Sequence, residues 1–173
     1  MSICHIFNIS LTSMLPSLMS NYKRLYLDGY SYFITIVTQG RQPILIDNID
    51  LLRDSFKRSK KRYNYTIDAI VILPDHIHMI LTPQNKSDYP KIISHIKRSF
   101  VYGLDTHTKE EAKIRLTSST HSRKLSGIWQ KRFYKHTIRD EKDWLEKMHY
   151  IQHNAVKHAL VDDWKEWKYS SFS

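Results

Sequence analysis

Apolar positions along this chain alternate between a two-residue and a near-four-residue rhythm. Tyr30 to Thr38 (YSYFITIVT) is rich in aromatic and β-branched residues and holds no breaker, which predicts a buried strand. Gly40 and Pro43 end it. Asp47 or Asn48 is placed to cap a helix running to about Tyr63, with Ile49, Leu52 and Phe56 at helical spacing on its apolar side. Tyr65 to Pro83 (YTIDAIVILPDHIHMILTP) reads as two strands, about 65–73 and 76–82. They are joined at Pro74-Asp75, where Pro presets the turn dihedral and Asp is at home. From Tyr89 to Leu104, Ile92, Ile96, Phe100 and Leu104 recur at four-residue spacing with Ile93 beside them, a second helix. Ile128 to Ile138 predicts a fourth strand, and Asp140 caps a last helix running to about His158. Trp164, Trp167, Tyr169 and Phe172 in the tail are expected to pack back on the body.

This order predicts an α+β fold of the ferredoxin-like β-α-β-β-α-β kind, with an added C-terminal helix. One antiparallel sheet would carry helices on one face and leave the other free for a ligand. Residues 105–126 are polar and rich in Ser and Thr, a long surface loop with a helical turn around Glu110 to Ile114. Residues 21–173 form the single domain. Residues 1–20 form a leader without the basic start of a signal peptide and without periodicity. The leader is either disordered or untranslated, with the start at Met19.

Composition narrows the partners. Lys and Arg number 27 against 17 Asp and Glu, a formal net charge of +10, and 41% of residues are apolar. That apolar share is enough for a core. The charge suits a polyanion, nucleic acid before an anionic membrane surface, although a merely soluble basic protein satisfies the same numbers. The first helix ends in a basic run, Lys57, Arg58, Lys60, Lys61 and Arg62, and Lys91, Lys97 and Arg98 lie off the apolar stripe of the second. A run such as that of the first helix is commonly a solvated face; here it adds to a positive field and can touch phosphates. Cys4 is the only cysteine, which excludes an internal disulfide and a Cys-rich zinc site and fits a reducing, intracellular setting. No apolar run reaches the length of a membrane span.

Two groups of residues can carry chemistry. His76 and His78 flank Ile77, so on a strand both imidazoles share one face while Ile77 points into the core. Two His on a rigid face begin a divalent-metal site, and two unrelated surface His give the same pattern. On the last helix Trp144, Met148, Ile151 and Ala155 form an apolar stripe, and Tyr150 lies roughly 120° from its centre at about 100° per residue. Asn154 follows by four positions and shares the face of Tyr150. A phenol can attack phosphorus and an amide oxygen can ligate a hard metal; an exposed Tyr with a helix-surface Asn satisfies the spacing equally.

LPDHIHMILTP resembles the His-hydrophobic-His motif of single-tyrosine transposases. WQKRFYKHTIRDEKDWLEKMHYIQHNAVKHALV resembles more specifically the REP-associated tyrosine transposases. In that family a Trp-Gln strand leads to His-x-Ile-Arg and then to a helix with Tyr-Ile-x-x-Asn-Pro-Val-Lys-x-Gly-Leu-Val. The matching positions are Trp129, Gln130, His136, Ile138, Arg139, Tyr150, Ile151, Asn154, Val156, Lys157, Leu160 and Val161. The opening YKRLYLDGYSYFITIVT is also similar, and the likeness spans about 21–173. Ala155 replaces the family's Pro, which should let the helix continue, and Ala159 replaces its Gly.

The resemblance implies a transposase, a metal-dependent endonuclease and strand transferase that acts on single-stranded, palindromic hairpin DNA. Tyr150 would be the nucleophile and form a 5′-phosphotyrosine. His76, His78 and Asn154 would hold Mg²⁺ or Mn²⁺. Lys23, Arg24, Lys131, Arg132, Arg139 and Lys157 would contact DNA through its phosphates. His149 and His153 are adjacent candidates for proton transfer, though their directions on the helix differ from that of Tyr150. The setting would be the bacterial cytoplasm and nucleoid, without a membrane, as monomer or homodimer. Two other readings stand beside this one: a purely hydrolytic nuclease on the same metal site, and a non-catalytic nucleic-acid binder on the same sheet. The glycine-aromatic signature of an RNA-recognition module is absent, and His76-Ile77-His78 is not a His-x-Thr/Ser phosphoesterase motif. A start at Met19 predicts an intact mass for the natively expressed protein that lacks Met1 to Leu18; a mass that includes them rules that start out.

Overall fold

The computed structural model describes residues 31–114 and 126–173. The leader, Lys23 and Arg24 lie outside these residues. Strands β1 (Tyr32–Val37), β2 (Tyr65–Ile72), β3 (His76–Pro83) and β4 (Tyr134–Thr137) form one antiparallel sheet in the order β2-β3-β1-β4. Helix α1 (Ile49–Lys60) connects β1 to β2, and α2 (Tyr89–Gly103) follows β3. The β-α-β-β-α-β order read from the pattern is therefore the order observed.

β3 lies in the middle of the sheet, and all of its residues are buried. Its alternation feeds two cores. Ile77, Met79 and Leu81 join Ile34 and Ile36 under Leu52, Phe56, Ile92, Ile96 and Phe100 from α1 and α2. Burying each such side chain stabilises the fold by about 1.5–3 kcal/mol. On the opposite face Phe33, Val71 and Ile80 meet Trp144 and Ile151 of α4 (Glu141–Gln152). The expectation of helices on one face and an open second face is thus corrected. The apolar stripe of α4 needs a partner surface, and the second face supplies it.

Three boundaries differ from the pattern. The fourth strand is short. Trp129 makes an isolated bridge to Thr38, then the chain leaves the ladder with Lys131 and Arg132 exposed and Phe133 against Tyr89. Residues 105–126 do not begin as a loop: Thr106–Ile114 is a helix, α3, and Ala112 is buried on it. The last helix does not run unbroken to His158. α4 stops at Gln152, His153 departs from helical dihedrals (φ −94°, ψ 6°), and a short helix α5 resumes over Asn154–Lys157. The His149 carbonyl accepts from both the backbone N–H and Nδ1 of His153. The expectation of one unbroken helix to about His158 is therefore corrected, although the chain does stay helical through Ala155.

The tail closes the outer edge of β2. Val71 bridges Ser170, Ser171 N–H donates to Ile70 O, and Trp167 Nε1 donates to Ile72 O at 2.9 Å. An edge that would otherwise show unpaired groups is covered. Among the described residues no helix is long and apolar enough to cross a membrane.

α5 ends in a Schellman turn: Leu160 N–H donates to Ala155 O and Ala159 N–H to Val156 O. The residue that must enter the left-handed region is Ala159 (φ 53°). Relief of about 1–2 kcal/mol of left-handed strain outweighs about 0.4–1 kcal/mol of added unfolded-chain freedom. Ala159→Gly should therefore raise stability by roughly 0.5 kcal/mol or more, read as a higher urea midpoint; a lower midpoint contradicts the strain.

Candidate active site

β3 turns His76 and His78 toward the α4 side of the sheet and Ile77 into the opposite core. The two imidazoles are 3% and 5% exposed, with ring centroids 4.8 Å apart and planes nearly perpendicular. Each ring is fixed through Nδ1. His76 Nδ1 donates to Asp75 Oδ1, and Asp75 also accepts from Arg41 Nη1 at 3.1 Å. His78 Nδ1 pairs with Thr35 Oγ1 at 2.8 Å, and Thr35 is its register partner on β1. With Nδ1 engaged, Nε2 is the nitrogen each ring offers to a ligand. Burial, then the charges of His76, His158 and Lys157, push His78 down to about 3. Burial also lowers His76, against the opposing carboxylate of Asp75. Both rings are therefore neutral at neutral pH, the state that can ligate a metal.

Helix α4 brings Tyr150 to this pair. Its ring meets His78 edge-on at 5.1 Å and Phe33 at 5.7 Å, while His78 stacks on Phe33 at 5.6 Å. Lys157 Nζ lies 5.0 Å from the centre of the Tyr150 ring. Tyr150 is half-buried, packed on the second core rather than pointing freely into solvent. Asn154, at the start of α5, is fully buried, and neither its Oδ1 nor its Nδ2 has a hydrogen-bond partner. Leaving such an amide unsatisfied costs about 1–3 kcal/mol. The same short helix leads to His158, whose ring lies 5.0 Å from that of His76. Among the described residues no group of three or more His, Cys, Asp or Glu is placed to hold a metal; the candidate third ligand here is an amide.

Comparison with known proteins gives this arrangement its context. The model of the family described as "Transposase IS200 like" matches residues 26–154. A Haemophilus influenzae protein assigned to the REP-associated tyrosine transposases is 40% identical over 156 residues, covering 89% of this chain and 86% of that protein. The chain belongs to the REP-associated tyrosine transposases, within the IS200-like family. The Escherichia coli REP-associated tyrosine transposase is 32% identical over 156 residues, covering 89% of this chain and 83% of its own. A solved structure of the REP-associated tyrosine transposase bound to a REP hairpin matches with a TM-score of 0.65 at 30% identity, over 83% of this chain and 77% of that one. As a transposase, the protein is an enzyme that acts on DNA.

The described cations expected at DNA do not form one cluster. Lys157 lies at Tyr150, Arg139 sits at the start of α4, Arg132 is exposed on the segment before β4, and Lys131 lines a hollow beside α2. His149 and His153 stack on each other at 4.1 Å, and His153 also approaches Trp164. Sequence reading missed His158, Thr35 and Phe33 as neighbours of the pair. His158 is four residues after Asn154, a signal that helical phase could have used. Thr35 and Phe33 are found only through the β1–β3 register.

Asp143 braces this transposase's α4 against β4. His136 Nε2 donates to its two carboxylate oxygens at 2.9 and 2.7 Å, and Arg139 N–H donates at 3.1 Å. Burial disfavours its charge, but these hydrogen bonds, with His136 and Lys147 nearby, outweigh it and hold the carboxyl below the usual carboxylate range. A depressed folded value contributes stability above the unfolded pKa of about 3.9 that is lost as pH falls through the folded value. Asp143→Asn should cost about 1.5–3 kcal/mol at neutral pH, and the gap to wild type should close below pH ~4. Urea unfolding at several pH values checks this; a gap independent of pH would contradict it.

Proposed function

We propose that this transposase cuts and rejoins single-stranded DNA at palindromic hairpins, with Tyr150 as nucleophile. The observation that carries the reading is the Tyr150 ring packed on His78, on the helix that leads to the buried, unpartnered amide of Asn154. The relative solved with a REP hairpin supports the substrate class.

The phenol oxygen of Tyr150 attacks the scissile phosphorus and gives up its proton. A bond forms between that oxygen and phosphorus, and the bond from phosphorus to the 3′ oxygen breaks. The 3′ oxygen leaves as a hydroxyl after taking a proton, and the downstream strand stays on Tyr150 through its 5′ phosphate. Attack by a 3′-hydroxyl on this phosphotyrosine reverses the exchange, so no phosphodiester bond energy is lost between cutting and rejoining. Lys157 places a positive charge beside the ring, where it can hold the scissile phosphate.

The residues present fit a divalent cation, Mg²⁺ or Mn²⁺. Two buried neutral imidazoles with Nδ1 engaged, and an orphaned amide oxygen, form a nitrogen and oxygen donor set. His76, His78 and Asn154 would hold the ion, which when bound supplies Lewis-acid polarisation of a phosphate oxygen. Arg139, Arg132, Lys131, Lys23 and Arg24 would hold the remaining backbone by charge.

With a labelled hairpin oligonucleotide and Mn²⁺, the wild type should accumulate a covalent protein–DNA species on denaturing gels. Tyr150→Phe should lose cleavage by a factor on the order of 10⁴ or more while still binding the hairpin. Strand transfer retained in Tyr150→Phe rules out the assignment. Cleavage by the wild type without an adduct identifies a hydrolytic nuclease instead.

A further inference from the structure

The side of the sheet away from Tyr150 carries cations that the reaction does not use. α1 and α2 pack together there over the first core. Arg58 of α1 and Arg62, just past its end, lie beside His95, Arg98 and Tyr102 of α2, and these residues line one shallow depression. At Arg98 and Tyr102 it meets a second hollow of about 480 Å³, lined further by Trp129, Phe133 and Lys131, the last already placed at the DNA backbone.

Neighbouring cations have carboxylate partners: Arg53 with Asp50, Lys57 with Asp54, Lys91 with Asp88. Among the described residues no carboxylate pairs with Arg58, Arg62 or Arg98. The concentration of charge is felt by His95, which burial and then Arg62, Arg98 and Arg58 push below the usual imidazole range. Like charges gathered without acids repel, so the folded state gains from a bound anion. One further feature points to the kind of anion. Tyr102 is 85% exposed where the two hollows meet. A cationic groove with a presented aromatic ring is the combination that binds single-stranded nucleic acid, through phosphates and base stacking.

We propose that this groove is a second DNA site, which holds a single-stranded stretch outside the segment being cut. The inference rests on the reading of the protein as a transposase of hairpin-bearing single strands. Arg58, Arg62 and Arg98 neutralise phosphates, and Tyr102 stacks on a base. The sheet stands between this groove and Tyr150, so the DNA held here is flanking strand, and the site adds affinity and reach without taking part in the chemistry.

The test compares a labelled hairpin alone with the same hairpin carrying an oligothymidylate extension of about twelve nucleotides on either side. Binding is read by fluorescence anisotropy and cleavage separately on gels, for the wild type, Arg98→Glu and Tyr102→Ala, each checked for an unchanged melting temperature. The wild type should bind one of the extended hairpins about tenfold more tightly than the bare hairpin. Both variants should lose that advantage, yet bind and cleave the bare hairpin as the wild type does. Equal affinity of the wild type for bare and extended hairpins overturns the proposal, as does an advantage that survives both substitutions. An extension effect that Arg98→Glu removes and Tyr102→Ala leaves intact overturns the stacking role. Absence of cleavage by the wild type, with the extension effect present, counts against the catalytic reading and not against this site.

Discussion

A strand with no solvent face organises this protein. β3 is paired on both edges and covered on both sides, so its register cannot slip by one residue without exchanging the two cores. Such a slip would turn His76 and His78 into the layer under α1 and α2 and bring Ile77 and Met79 out of it. The loss of several large buried side chains, at about 1.5–3 kcal/mol each, forbids that exchange. The orientation of the imidazole pair is therefore enforced by the hydrophobic effect on Ile77, Met79 and Leu81. The same register delivers Thr35 to His78 and Phe33 to the ring stack.

Against this rigid ladder the second half of the site is built from a helix with a break. α4 is seated by its apolar stripe and by the Asp143 brace to β4, and the irregularity at His153 separates the part that carries Tyr150 from the part that carries Asn154, Lys157 and His158. Local conflicts with stability gather here. Asn154 is buried without a partner, two imidazoles are desolvated, and Ala159 is held in a left-handed turn. Each would be unfavourable in an ordinary fold, and all fall on β3 or on the short segment that follows α4.

Cations among the described residues lie on both sides of the sheet. On the α4 side Lys157 and Arg139 flank the helix that bears Tyr150. On the other side Arg58, Arg62 and Arg98 gather with no carboxylate partner among the described residues. A substrate that is itself a long polyanion can be attracted to both, which suits an enzyme whose DNA extends well beyond the bond it cuts.

Much of this was legible in the order of residues. Period-two and helical patterning marked the strands and α1, α2 and α4, because apolar faces must be buried and the backbone sets their spacing. The alternation His76-Ile77-His78, the four-residue step from Tyr150 to Asn154 and the cap at Asp140 follow from local geometry alone, as does the family likeness carried by those motifs. Contacts between distant elements were not legible in this way. That α4 covers the second face, that Thr35 meets His78, that His158 comes up to His76, and that Arg58 and Arg98 share one groove all depend on how separate elements pack. The break at His153 and the shortness of β4 belong to the same class. A helix or strand signal states what a segment can do alone, whereas its ends are set by the bonds and buried surface that neighbours offer. The sequence by itself determined the kinds of element and the face on which the candidate side chains His76 and His78 lie; only the tertiary structure decided which faces meet, because that choice rests on the summed burial of residues far apart in the chain.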